Sequence, residues 1–134
     1  MVIFVNKVSR FVVFLRGINV GDHVISKEKL LKAFASSRFR DVSTSGQSGN
    51  VVFRTDMRTP EEVRKLVETR LCQTLNFEVA VFVRTLQQLK QLVQLDPFRD
   101  QGEEDADFQV TFLASAPAKF PLKLPFSSHS LMTF

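Results

Sequence analysis

The sequence predicts an α+β domain, an antiparallel sheet that carries its helices on one face. Three observations predict it: apolar runs too short for helices, helix-start signals that alternate with those runs, and glycine-bearing loops that join them. With 134 residues, 44% hydrophobic and 24% charged, the chain has the size and composition of one globular domain, or one domain with part of another.

Residues 1–10 read as a lead-in. Residues 1–15 are apolar but broken by Asn6, Lys7 and Arg10. They hold no apolar run near the ~20 residues of a membrane span. They also lack the clean run and small-residue cleavage site of a signal peptide. Phe11, Val12, Val13, Phe14 and Leu15 are apolar at every position, the pattern of a strand buried on both faces. A loop follows, Arg16-Gly17-Ile18-Asn19-Val20-Gly21. Ser26 is placed to cap a helix whose apolar stripe is Leu30, Leu31 and Phe34, and which fades by Ser36 and Ser37.

Residues 41–45 read as a polar edge strand, Gly46-Gln47-Ser48-Gly49 as a turn, and residues 50–54 as the return strand of a hairpin. Thr59 as N-cap, Pro60 at the first helical position and Glu62 completing a capping box announce the second helix. Val63, Leu66, Val67, Leu71 and Leu75 form its buried face, and Cys72 points the other way. Residues 78–84 are another nearly all-apolar strand. Thr85 and Gln88 open a third helix bearing Leu86, Leu89, Leu92 and Val93, which Asp96-Pro97 ends. An acidic loop, 100–107, leads to an alternating strand at 108–113, and a Pro-bearing tail without helical period follows.

Strand, helix, strand, strand, helix, strand over residues 11–84 is the βαββαβ, ferredoxin-like order. It places two helices on one sheet face and makes the first and third strands antiparallel central neighbours. Residues 85–114 then begin a second, incomplete half, and 115–134 are an irregular tail. The runs at 11–15, 51–53 and 79–83 are apolar on both faces. Burying each Val- or Phe-sized side chain contributes about 1.5–3 kcal/mol, so the second face needs a cover. Exposed apolar surface or self-association through that face is expected.

Four of the five glycines lie in the two loops. The strand order brings these loops to one sheet edge, with Arg16 and Asn19 near Gln47, Ser48 and Asn50. Arg16, Gly17, Asn19, Gly21, Gln47, Ser48, Gly49 and Asn50 are therefore the candidate site for a small anionic or polar ligand. Glycines let backbone N–H groups approach a ligand, and Arg16 offers a planar five-donor fork. The competing reading is that the glycines only make tight turns, with Asn19 and Asn50 bonding local backbone. The first loop lacks the Gly-Lys-Ser/Thr ending of a Walker loop and is not Gly-x-Gly-x-x-Gly.

Asp22 with His23 could form an acid–base pair and Ser48 could be a nucleophile, although a lone loop Asp-His is more often solvated. No His/Asp/Glu spacing suggests a metal, and no cofactor is indicated. The single cysteine, Cys72, excludes an internal disulfide and agrees with a reducing cytoplasm. The net charge is +4, and residues 1–99 hold 16 of the 18 Lys/Arg and 9 of the 14 Asp/Glu, a net +7 there. A basic body suits anionic partners. Two further readings follow. The βαββαβ order is shared with RNA-recognition domains, but their exposed sheet-face aromatics fall here at positions that read as largely aliphatic. A bare second face also suits an interaction module.

Phe14-Leu15-Arg16-Gly17-Ile18-Asn19-Val20-Gly21 followed by Gln47-Ser48-Gly49-Asn50-Val51-Val52-Phe53 closely resembles the uncharacterised bacterial family known as domain of unknown function 1697. Val83-Arg84-Thr85 and Asp96-Pro97-Phe98 are similar to its later landmarks. The resemblance covers roughly residues 10–114. It implies a cytoplasmic α+β protein built around a ferredoxin-like half, with no established activity. The family continues beyond the strand near Phe112 to a Thr-Arg-Asn-Trp-like segment, whereas this chain has no Trp and ends differently. Truncation or a frameshifted end is the expectation.

Overall fold

The computed structural model describes residues 7–45, 49–99 and 109–115, and the chain divides into two units, Met1–Leu86 and Gln87–Phe134. The first unit runs β1 (Ser9–Arg16), α1 (Lys27–Phe34), β2 (Arg40–Ser45), β3 (Asn50–Thr55), α2 (Pro60–Leu75) and β4 (Ala80–Thr85). The four strands form one sheet in the order β2-β3-β1-β4, and every neighbouring pair is antiparallel.

Side-chain alternation divides the sheet into two faces. Phe11, Val13 and Leu15 of β1, Val51 and Phe53 of β3, and Val81 and Val83 of β4 form the inner face. They share one core with Leu30, Ala33 and Phe34 of α1 and Val63, Val67, Leu71 and Leu75 of α2. Both helices therefore cover the same face. Phe53 is its aromatic centre, with ring centroids 4.5 Å from Phe39, 5.7 Å from Phe34 and 6.4 Å from Phe11.

The helix ends follow their local chemistry. Ser26 Oγ accepts from Lys29 N at 3.2 Å, satisfying one of the free N–H groups that open α1. At its other end, Arg70 of α2 donates to the carbonyl oxygens of Ala33, at 2.8 Å, and Ala35. One guanidinium thus ties the second helix to the last turn of the first. Thr59 and Glu62 make the expected capping box, and Asn76 ends α2 in the left-handed region at φ 62°. Cys72 is exposed.

The outer face differs from the two-sided burial expected of it. Val12 is buried at 7% exposure, but Phe14, Val52 and Phe82 are only half-buried. Between Arg40 and Ser43, β2 carries one residue more than β3 opposite, a β-bulge. Asp41 sits there at φ 52°. Aspartate is among the few residues that tolerate this conformation.

α3 spans Leu86–Leu95 and so begins directly after Thr85, the last residue of β4, where the sequence places its start. None of its residues is fully buried, and Val93 and Leu95 are 76% and 60% exposed. Of the strand expected at 108–113, residue 108 lies outside the described residues, and residues 109–113 belong to neither helix nor strand. Alternation there supplies one apolar face, but a strand also needs a neighbour to take its N–H and C=O groups. The described strands all belong to the first sheet.

The capping box makes part of the stability pH-dependent. Glu62 accepts from the N–H groups of Arg58 and Thr59 at 3.1 and 3.2 Å, and these bonds hold its pKa below the ordinary carboxylate value. Its contribution is present above the unfolded carboxylate pKa and is lost as pH falls through the lower folded value. The urea midpoint of wild type should therefore fall more steeply on acidification than that of Glu62→Gln. Parallel curves would remove the capping carboxylate as the cause.

Candidate functional site

The register fixes how the two glycine loops meet. Val13 pairs with Val51, the last step of the β1–β3 ladder toward the loops, and the Leu15 side chain lies beside Gly49. The end of β1 and the start of β3 thus share one sheet edge, as the strand order requires. Gly49 is buried, and a Cβ added there would lie 2.0 Å from Ile18 Cδ1 and 3.6 Å from Leu15 Cδ1. Ile18, 6% exposed, seats its side chain on the glycine of the other loop. The contact that joins the loops is apolar, which no polar motif in the sequence announced.

The first loop is also built from within. Gly17, Asn19 and Gly21 all have positive φ, at 77°, 57° and 58°. Asn19 Oδ1 accepts from Ile25 N at 2.9 Å, while Asn19 N donates to His23 O at 2.7 Å. Asn19 therefore holds the two arms of the loop together, as the turn-forming reading anticipates for an Asn in this conformation. The His23 ring stacks on Phe77, just after α2, with centroids 4.5 Å apart and planes 14° from parallel. Asp22 is exposed and makes no hydrogen bond or ion pair with any described residue, His23 included. The exposed Asp22 agrees with the solvated reading of this loop Asp-His.

Arg16, the last residue of β1, pairs with Ala80 through its backbone, and its exposed side chain has no hydrogen-bond or ion-pair partner among the described residues. Asn50 is half-buried at the start of β3. Gln47 and Ser48, with Gly46, lie outside the described residues. Across the two loops, the contact shown is that of Gly49 with Ile18 and Leu15. Val20 and Val24 of the first connection are 69% and 76% exposed.

Two features escaped sequence reasoning. A shallow groove lies at the opposite end of β3, lined by Arg38, Asp56, Met57, Arg58, Glu62 and Lys65. Its polar groups are largely engaged with one another: Arg38 pairs with Asp56 at 3.6 Å, and Glu62 serves the helix cap. The second feature is on the outer sheet face, where Arg10 faces Arg54 and Arg54 faces Arg40 across three adjacent strands. The signal was present, because Arg10 is in phase with Val12, Phe14 and Arg16, but only the register lines the strands up. Arg84 lies on the same face opposite Val12, where burial lowers its guanidinium pKa from the ordinary value. It keeps its charge at any physiological pH.

Among the described residues, no group of three His, Cys, Asp or Glu side chains could hold a metal ion, and no helix is long and apolar enough to cross a membrane.

An antiparallel four-stranded sheet with two helices on one face and a loop pair at the β1–β3 edge defines the class as α+β. The chain belongs to the family described as "Protein of unknown function (DUF1697)", whose model matches residues 8–124. Its fold is similar to that of the conserved bacterial protein SP0830 from Streptococcus pneumoniae, with TM-score 0.57 and 19% sequence identity. That match covers 66% of this chain and 48% of the other, so the chain spans about half the length of the solved relative. No curated protein matches it.

The Ile18–Gly49 contact has a mutational signature. Gly49→Ala should destabilise the fold by clearly more than Gly17→Ala, although both glycines have positive φ, because only Gly49 has a neighbour in the way. The backbone term is about 1–2 kcal/mol for each. In Gly49→Ala/Ile18→Ala the loss should be smaller than the sum of the single losses, because the clashing methyl is gone. Chemical denaturation checks this, and additive losses would contradict the contact.

Proposed function

We propose that the β1–β3 edge binds a small anionic or polar ligand through Arg16, Gly17, Asn19, Gly21, Gln47, Ser48, Gly49 and Asn50. The observation that carries this reading is the packing of Gly49 against Ile18 and Leu15, which joins the second loop to the first at the end of β1, where Arg16 is the last residue. An arginine side chain with no partner among the described residues, beside loops held open by positive-φ residues, is suited to a carboxylate or phosphate. Its five donors match the acceptor geometry of those groups, and nearby backbone N–H groups add to the field. In this reading Asn19 shapes the loop, with its Oδ1 engaged by Ile25.

The frame of the site is of the ferredoxin-like type, a reading supported by the βαββαβ order and the β2-β3-β1-β4 sheet. A cytoplasmic setting fits the lone exposed thiol of Cys72.

A thermal-shift screen of phosphorylated metabolites, nucleotides and carboxylic acids tests the site. A ligand present at 100 times its Kd stabilises by about 2.7 kcal/mol, enough to raise Tm by several degrees. Arg16→Ala should melt like wild type without ligand and lose the rise. A shift that survives in Arg16→Ala, or no shift in any chemical class, would overturn the assignment.

A further inference from the structure

Directly opposed like charges destabilise a sheet, so an uninterrupted cross-strand row of arginines needs a reason. Arg10 of β1 is the register partner of Arg54 of β3, and Arg54 is the partner of Arg40 of β2. All three are exposed, and the side chain of Arg54 keeps 46% of its surface open even with Asp41 beside it. Compensation of their charge is thin. Asp41, at φ 52° in the bulge, accepts from Arg54 at 3.1 Å. Both groups are exposed, so this ion pair contributes little and exchanges readily with another anion. Arg10 and Arg40 have no ion-pair or side-chain hydrogen-bond partner among the described residues.

The spacing of the row selects among anions. Strands lie about 4.8 Å apart, so the three guanidinium groups span roughly 10 Å across the sheet. A lone carboxylate or phosphate is too short to serve all three. An anion with several phosphate groups in a line can engage each planar fork in turn, and it cancels the repulsion of the bare row. No aromatic ring belongs to the row, so it offers nothing on which a base would stack. The chemistry that it matches is a compact, multivalent phosphate.

We propose that Arg10, Arg54 and Arg40 bind a free linear polyphosphate laid across the three strands, one arginine from each. This goes beyond the ligand site at the β1–β3 edge and uses none of its residues, because the arginine row lies at the other end of β1.

The test is isothermal titration calorimetry of the full chain with inorganic tripolyphosphate, and with monophosphate for comparison. Wild type should bind tripolyphosphate, and more tightly than monophosphate. Arg10→Gln/Arg40→Gln should bind it more weakly by roughly tenfold or more, the loss expected when charge-assisted hydrogen bonds are removed. The Tm of that variant without ligand should be unchanged or higher, because opposed charges are gone. Arg16→Ala should bind tripolyphosphate as wild type does, which separates the row from the β1–β3 edge. The proposal is overturned if wild type does not bind tripolyphosphate, if monophosphate binds equally well, if the double variant binds as wild type does, or if Arg16→Ala abolishes binding. Tighter binding of a ten-nucleotide oligouridylate or of phosphatidylserine vesicles than of tripolyphosphate would overturn it as well.

Discussion

β1 is the strand from which the other elements take their positions. It is hydrogen-bonded on both edges, to β3 and to β4, and its inner row Phe11, Val13 and Leu15 lies at the middle of the core. A slip of one residue would turn that row to the outer face and bring Val12 and Phe14 inward. The slipped sheet would also lose the packing of Leu15 beside Gly49 and the seat of Ile18 on the glycine. Burial of the inner row therefore fixes the register, and the register fixes which loop residues meet.

That constraint also distributes charge. With the apolar row committed inward, the remaining positions of β1 (Arg10, Val12, Phe14 and Arg16) must face outward. The register with β3 and β2 then aligns Arg10 with Arg54 and Arg40. The inner face is a conventional helix-covered core. The outer face combines arginines with half-buried rings, a composition set by what pairs across the strands.

Much of the frame was legible because its signals are local. Ser26 and the Thr59–Glu62 box mark helix starts through bonds within four residues, and the apolar runs mark strands directly. The adjacency of the two loops was legible too, through strand order. What joins them was less so: the sequence draws attention to Arg, Asn, Gln and Ser, whereas the contact between the loops is Ile18 against Gly49. The alternation of residues 108–113 was misleading, because a period of two reports an apolar face and says nothing of a neighbour to pair with. The arginine row was invisible for a related reason. Arg10, Arg40 and Arg54 are far apart in sequence, and an extra residue in the β2 bulge shifts the phase that simple alternation would assign.

The most direct test of the account is an NMR cross-relaxation measurement between the Ile18 δ1 methyl and the α protons of Gly49. The β1–β3 register with Ile18 seated on the glycine predicts a strong cross-peak, together with long-range contacts between the paired α protons of β1 and β3. An absent Ile18–Gly49 cross-peak, or strand contacts displaced by one residue, would contradict the register on which the joined loops and the arginine row depend.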